Sequence, residues 1–393
     1  MNSSIDQRSA ATTPAILSGS FGGGRGLRAT GKVLPEQARS HNRSLVLQTL
    51  YHRGEMSRAD LSRETGLTRV TISDLVGECI ADGIVREIGV REASGPGKPP
   101  IVIDIDRDGH QIIGIDLSGT DSFQGAVLNL DGEMLHRRTV SLPVDVLPEQ
   151  AYAGVVELVR ELIADADRPV LGIGVGSPGI VRPDGTVLSA PNLSWSELPL
   201  EQRLHDEFAL PVLVRNDANA AVLAEYTFGA ARSDLMLIRI GRGVGAGLIA
   251  GGQAVIGGRF AAGEIGHVVT GTDDGPLCAC GNRGCLEAWV SGPHLQSMIE
   301  AEPARRAEIL AQAGARLGIA LAPIVAALDL SQVVLAGPHE LLEGDFVDAA
   351  TRTLHERTLE GVFADVEIRL TEQADIVLRG AAVMVLSAQL GVS

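Results

Sequence analysis

Two stretches of this 393-residue chain carry the same pattern, and that repetition limits the fold more than any other feature. Residues 112–117, 124–130 and 134–142 read as three consecutive strands, short, apolar or alternating, and bounded by turn residues. Residues 235–240, 245–250 and 253–257 repeat the series. In both copies a glycine-bearing turn follows the first strand: Asp116-Leu-Ser-Gly-Thr120 and Gly241-Arg-Gly-Val-Gly-Ala-Gly247. Two such units predict a pair of related α/β lobes with a cleft between them. Between the copies, an amphipathic helix is expected over 148–165, with Tyr152, Val155, Val156, Val159, Leu162 and Ile163 on one side. A buried strand over 170–175 follows it. Helices near 304–328 and 345–360, a strand over 333–336 and a last helix near 374–390 complete the second half.

The N-terminal part has a different character. Residues 1–40 are rich in Ser, Thr, Ala and Gly without periodicity and read as a disordered tail. Residues 41–84 read as three helices. The first, about 42–52, carries Leu45, Val46, Leu47 and Leu50. The second starts after Ser57, an N-cap with Asp60 at the capping-box position, and runs to Thr65. Gly66-Leu67 forms a tight turn. The third begins at Thr68 and carries Val70, Ile72, Leu75, Val76, Cys79 and Ile80 before Gly83 ends it. Two β segments, 84–90 and 100–105, joined by Ala93-Ser-Gly-Pro-Gly-Lys-Pro-Pro100, make a hairpin.

Three helices with a glycine turn between the second and third, followed by a hairpin, predict a winged helix-turn-helix. Its third helix would lie in the major groove of DNA, with Thr68, Arg69, Thr71 and Ser73 toward base edges and phosphates. Lys98, at the wing tip, would touch the backbone or minor groove. Charge agrees with this division. The whole chain has a net charge of −16, yet residues 1–107 hold 14 basic against 12 acidic side chains. A small module of near-neutral charge is joined to an acidic body.

The chain has four cysteines. Cys79 falls within an apolar helical pattern and is expected in the core. Cys278, Cys280 and Cys285 cluster, with His267 on a glycine-rich approach. Three thiolates and an imidazole form a closed tetrahedral set suited to one structural Zn2+. Glu264 and Glu287 flank this loop, and such carboxylates suit hydrogen bonding to sugar hydroxyls. No apolar run nears the ~18–20 residues that cross a bilayer, and no signal-peptide core is present, which points to a soluble, cytoplasmic protein without a membrane partner.

The run Gly257-Gly-Arg-Phe-Ala-Ala-Gly-Glu-Ile-Gly-His267, together with the Cys-x-Cys-Gly-x-x-Gly-Cys-x-Glu pattern of 278–287, resembles the ROK family over essentially all of 41–393. That family groups sugar kinases with transcriptional repressors that carry an added winged helix. The resemblance implies a two-lobed, actin-like, ribonuclease-H-related α/β fold. Its domains would be 41–107 for the winged helix and 108–393 for the sugar-binding part, in lobes of about 108–228 and 229–393, the last helix packing back on the first lobe. It also implies sugar-binding roles for Asn192, Asn216, Asp217, Glu264, His267 and Glu287, with His267 on the zinc as well. Asp217 matches the general base of the kinases.

Two departures bear on activity. The kinases' first phosphate loop is similar to Asp-x-Gly-Gly-Thr, whose bare backbone meets phosphate oxygens. Here Ser118 replaces one glycine, and Asp121 stands where a basic residue is common. In the second loop Arg242 replaces a threonine. Together these imply no ATP use and no catalytic residue. The expected protein is a sugar-responsive, DNA-binding regulator, a repressor of carbohydrate uptake and catabolism genes, acting as a homodimer or homotetramer on an inverted-repeat operator. The competing expectation is an ATP-dependent sugar kinase.

Overall fold

The computed structural model describes residues 35–91, 99–119, 121–143, 145–230, 234–271 and 275–392. The expected tail (up to residue 34), Lys98 at the wing tip and Thr120 lie outside the described residues.

The chain begins with α1 (Pro35–Arg53), β1 (Met56–Ser57), α2 (Arg58–Thr65) and α3 (Arg69–Ala81), then β2 (Val85–Val90) and β3 (Ile101–Ile105). Helix α1 starts at Pro35 rather than near 42, so the end of the expected tail is helical. Ser57 caps α2 in a full capping box with Asp60, and Gly66 ends it in the left-handed region at φ 71°. The hydroxyl of Ser62 donates to Leu67 O at 2.6 Å, tightening the turn into α3. The wing is a three-stranded antiparallel sheet in the order β1-β3-β2, one short strand more than expected. Leu47, Leu50, Leu61, Ile72, Val76 and Cys79, from the three helices, form the core against which this sheet packs.

The first lobe contains β4 (Gln111–Asp116), β5 (Ser122–Leu128), β6 (Met134–Ser141), α4 (Pro148–Asp165), β7 (Val170–Ser177), β8 (Ile180–Val181), β9 (Thr186–Ala190), β10 (Trp195–Pro199), α5 (Leu200–Phe208), β11 (Val212–Asn216) and α6 (Asp217–Phe228). The second contains β12 (Leu235–Ile240), β13 (Val244–Ala250), β14 (Gln253–Ala254), α7 (Leu286–Val290), α8 (Gly292–Ala301), α9 (Arg306–Leu328), β15 (Gln332–Ala336), α10 (His339–Leu342), α11 (Asp345–Glu356) and β16 (Glu367–Leu370). Helix α12 (Ile376–Leu390) follows.

The two large sheets have one plan. The first runs β6-β5-β4-β7-β11 and the second β14-β13-β12-β15-β16. In each, an antiparallel triplet is extended by two parallel strands on the far side of its first strand. The repeat read from the sequence is therefore a repeat in space. The third strand of the second copy is shorter than expected, ending at Ala254.

Alternation along the strands builds the layers. Ile113 and Ile115 of β4 pack with Val155, Leu158 and Leu162 of α4. Ile112 faces the opposite way, toward α6 and α12. Strand β12 sends Met236 and Ile238 to α9 and α11, and Leu235 and Leu237 back to the central helices. Helices α6 and α12 thus form a middle layer between the sheets. Helix α12 seats closely because Gly174 of β7 lies under the Ala381 backbone, where a Cβ would collide with it. Helix α12 packs on β4, β7 and α6. It then ends against the winged helix, with Gly391 beside Ser44 and Val392 buried in the shared core.

Among the described residues one stretch, Pro303–Leu328, is long and apolar enough to cross a membrane, and 56% of its apolar window is buried inside the fold.

Candidate functional site

The junction of β11 and α6 places the first cleft residues. Asn216 caps α6, its Oδ1 accepting from the N–H of Ala218 at 2.9 Å and of Asn219 at 3.1 Å. Its Nδ2 donates to Gly179 O at 2.9 Å, fastening the turn after β7. Both ends of this amide serve the backbone. Asp217 follows in the first turn of α6, where the helix dipole favours a carboxylate.

From the other lobe, β12 brings Arg239 to meet it. One guanidinium nitrogen pairs with Asp217, and the other donates to the Ser118 hydroxyl at 3.0 Å. Ser118 lies in the turn after β4, its N–H bonded to Asp116 Oδ1 at 2.8 Å. Burial pushes the Asp217 carboxyl upward, with Arg239 opposing and Asp116 adding to the push. Burial works against the charge on Arg239, but Asp217 and Asp116 outweigh it and hold the guanidinium charged. Beside the pair opens a cavity of about 550 Å³, lined in part by Asp116, Gly241, Gly337, His339 and Asp375.

Glu264 opens the 3-10 turn Ile265–His267 and is half-buried. Burial raises its carboxyl, His267 opposes the rise, and Asp217 and Glu287 add to it. Asp217, Glu264, His267 and Glu287 therefore share one electrostatic neighbourhood. Glu287, in the first turn of α7, accepts from the Val244 N–H at 3.0 Å and so ties α7 to the glycine-rich turn after β12. Asn192 stands exposed on the turn Pro191–Leu193. Trp195 beside it is a core residue, its Nε1 donating to Pro148 O at 3.0 Å.

The ligating atoms of His267, Cys278, Cys280 and Cys285 all lie within 4.8 Å of one another. Cys280 and Cys285 sulfurs are 3.6 Å apart, and Cys278 Sγ is 3.6 Å from His267 Nδ1. A tetrahedral ion with bonds of about 2.3 Å sets its sulfur ligands about 3.8 Å apart, so this donor set fits zinc. Burial, reinforced by the two neighbouring thiols, pushes Cys285 up to about 12. A cation is what would let three crowded thiols ionise together. Gly284, at φ 75°, makes the left-handed turn that brings Cys285 back under the loop.

The winged helix presents a second surface. Thr68 caps α3, its Oγ1 accepting from the Thr71 N–H at 3.2 Å and lying 2.9 Å from the Thr71 hydroxyl. Ser73 is exposed. Arg39, Arg43, Arg53, Arg58, Arg63, Arg86, Arg91 and Arg107 each pair with a carboxylate. Among the described residues of this part, Arg69 is the one arginine that does not. Val70 is 71% exposed, off the apolar side of α3. The buried stripe runs Ile72, Leu75, Val76, Cys79; Val70, two residues before Ile72, lies ~160° away around the helix.

The model of the ROK family matches residues 112–388. A xylose repressor of Caldicellulosiruptor bescii is 30% identical over 384 residues, covering 88% of this chain and 95% of that one. The chain belongs to the ROK family. A putative xylose repressor of a Caldicellulosiruptor species is 36% identical over 265 residues, 66% of each chain, just under two thirds of that relative's length. The crystal structure of a ROK family transcriptional regulator, a homologue of the Escherichia coli Mlc protein, superposes with a TM-score of 0.77 at 24% identity, covering 90% of this chain and 97% of that one. At that identity the likeness speaks for the fold.

Of the ROK positions expected from the sequence, Asp217, Glu264, His267 and Glu287 come together, and the cluster of His267, Cys278, Cys280 and Cys285, which could hold a metal, closes beside them. Arg239 was not anticipated. Its signal was a cation in the otherwise apolar strand Leu-Met-Leu-Ile-Arg-Ile, where a charge needs a buried partner.

Proposed function

We propose that this ROK protein is a sugar-responsive repressor that binds operator DNA through its winged helix and a sugar through the inter-lobe cleft. One observation carries the reading. A single hydrophobic core runs from Leu47, Leu50 and Ile72 of the winged helix into Ile112, α6 and α12 of the lobe that bears Asp217. A sugar that binds the cleft differently in two lobe arrangements can then bias the DNA-reading surface. The proposed units are 35–107 for DNA and 108–392 for the sugar, in lobes of about 108–228 and 229–375, with the last helix on the first lobe. One zinc per chain, on His267, Cys278, Cys280 and Cys285, would stiffen the loop that holds Glu264 and Glu287.

The proposed sugar contacts are Asn192, Asp217, Glu264, His267 and Glu287. Asn216 acts through its cap on α6. Xylose is the first sugar to test, because two relatives are named for it. The chain is proposed to act in the cytoplasm as a homodimer or homotetramer on an inverted repeat.

Sugar kinases share the family, so phosphoryl transfer is the second reading. Against it stands the Arg239–Asp217 pair: a carboxylate gripped by a guanidinium is a poor acceptor for a hydroxyl proton. Ser118 and Asp121 weigh the same way.

The test is enrichment of fragmented genomic DNA by the purified protein at near-physiological salt, with and without xylose. A few shared inverted-repeat sites, released by a sugar, support the repressor. No enrichment combined with ADP release on a panel of sugars supports the kinase.

A further inference from the structure

We infer that Val70 reads the 5-methyl group of a thymine in the major groove, an assignment that rests on the DNA-binding reading above. Val70 lies in the first turn of α3 and is 71% exposed, whereas Ile72, Leu75 and Val76 on the same helix are at most 1% exposed. It adds nothing to the core. Valine is also a weaker helix former than alanine, so nothing local favours it there.

Its neighbours define a face. Val70, Ser73 and Gly77 stand at i, i+3 and i+7, one stripe along the exposed side of α3. A Cβ on Gly77 would meet nothing within 4 Å, so the fold does not call for glycine at that point. Missing bulk at Gly77 leaves room for a groove wall to approach. Thr68 and Arg69 flank the stripe, and Arg69 has no carboxylate partner among the described residues to draw it away. The N-terminal turn of such a helix is the part that meets base edges. There a thymine offers a methyl group, which an isopropyl side chain covers without needing a hydrogen bond.

The experiment uses the full-length protein. A preferred site is first selected from random duplex DNA. Each thymine in it is then replaced, one at a time, by deoxyuridine, which removes only the methyl group. Wild type and Val70→Ala are titrated in parallel, with thermal melts to show that the variant folds. At one thymine per half-site, the replacement should weaken wild-type binding by about threefold to fivefold, the worth of one buried methyl. Val70→Ala should be indifferent to that replacement. If both proteins respond alike to every replacement, Val70 does not read thymine, while DNA recognition stands. If folded wild type selects no sequence, the DNA-binding reading falls and this assignment falls with it.

Discussion

Arg239 on β12 and Asp217 at the start of α6 form an ion pair that joins the two lobes across the cleft. The pair places a fixed positive charge where a kinase needs a free base, and it makes lobe position depend on what else can satisfy Asp217. Under the proposed function, sugar hydroxyls are such competitors.

Removing the cation leaves Asp217 enclosed and alone. Arg239→Met is expected to lower stability by about 3 kcal/mol near pH 7. Burial already raises the Asp217 carboxyl, and losing Arg239 raises it further. A carboxyl whose folded pKa lies above its unfolded value favours the folded state at low pH and loses that benefit as pH rises through the folded pKa. The deficit should therefore be largest at neutral pH and shrink toward pH 4. Asp217→Asn in the same chain should restore most of it. Urea melts at both pH values decide the matter, and an equal loss at each contradicts the pairing.

Cys280→Ser is expected to abolish stoichiometric zinc and lower the melting temperature. Because Glu287 links this loop to Val244, sugar affinity should fall with the metal. Metal analysis of the purified variant provides the check, and full zinc content would refute the ligand set.

Arg69→Ala should weaken specific DNA binding by about 1–3 kcal/mol if the guanidinium bonds a base edge. If it meets only phosphate, the loss should be uniform across sequences and the salt slope should shrink by about one. Salt-matched titrations on specific and scrambled duplexes separate these outcomes, and no change on either duplex would show that α3 does not face DNA.

Gly77→Ala should do opposite things to stability and binding. An added methyl finds open space, and alanine favours a helix over glycine by about 1 kcal/mol. The variant should melt higher while binding DNA less tightly. A variant with higher stability and unaltered affinity would place Gly77 off the groove.

Much of the architecture was legible because it rests on local chemistry. The capping box at Ser57 and the spacing of Cys278, Cys280 and Cys285 are written in neighbouring residues, as is the repeated strand triplet. Helix α6 was not read. Its buried residues, Ala218 and Ala220 to Glu225, cover nearly every side, so no polar face marks its period. The short strands β8 to β10 carry too few residues to show alternation. Arg239 escaped for a different reason: its partners lie 22 and 121 residues away, and nothing near it in the chain announces them.

Helix α12 also sets the order in which this molecule can be completed. It covers one face of the first sheet and touches α1, yet in the chain it comes after the whole second lobe, β12 to β16. During synthesis, strands β4 to β11 leave the ribosome with α6 alone on that face and wait for some 160 further residues before α12 completes its cover. A chain halted before Ile376 would hold α1 to α3 without the helix that packs against α1.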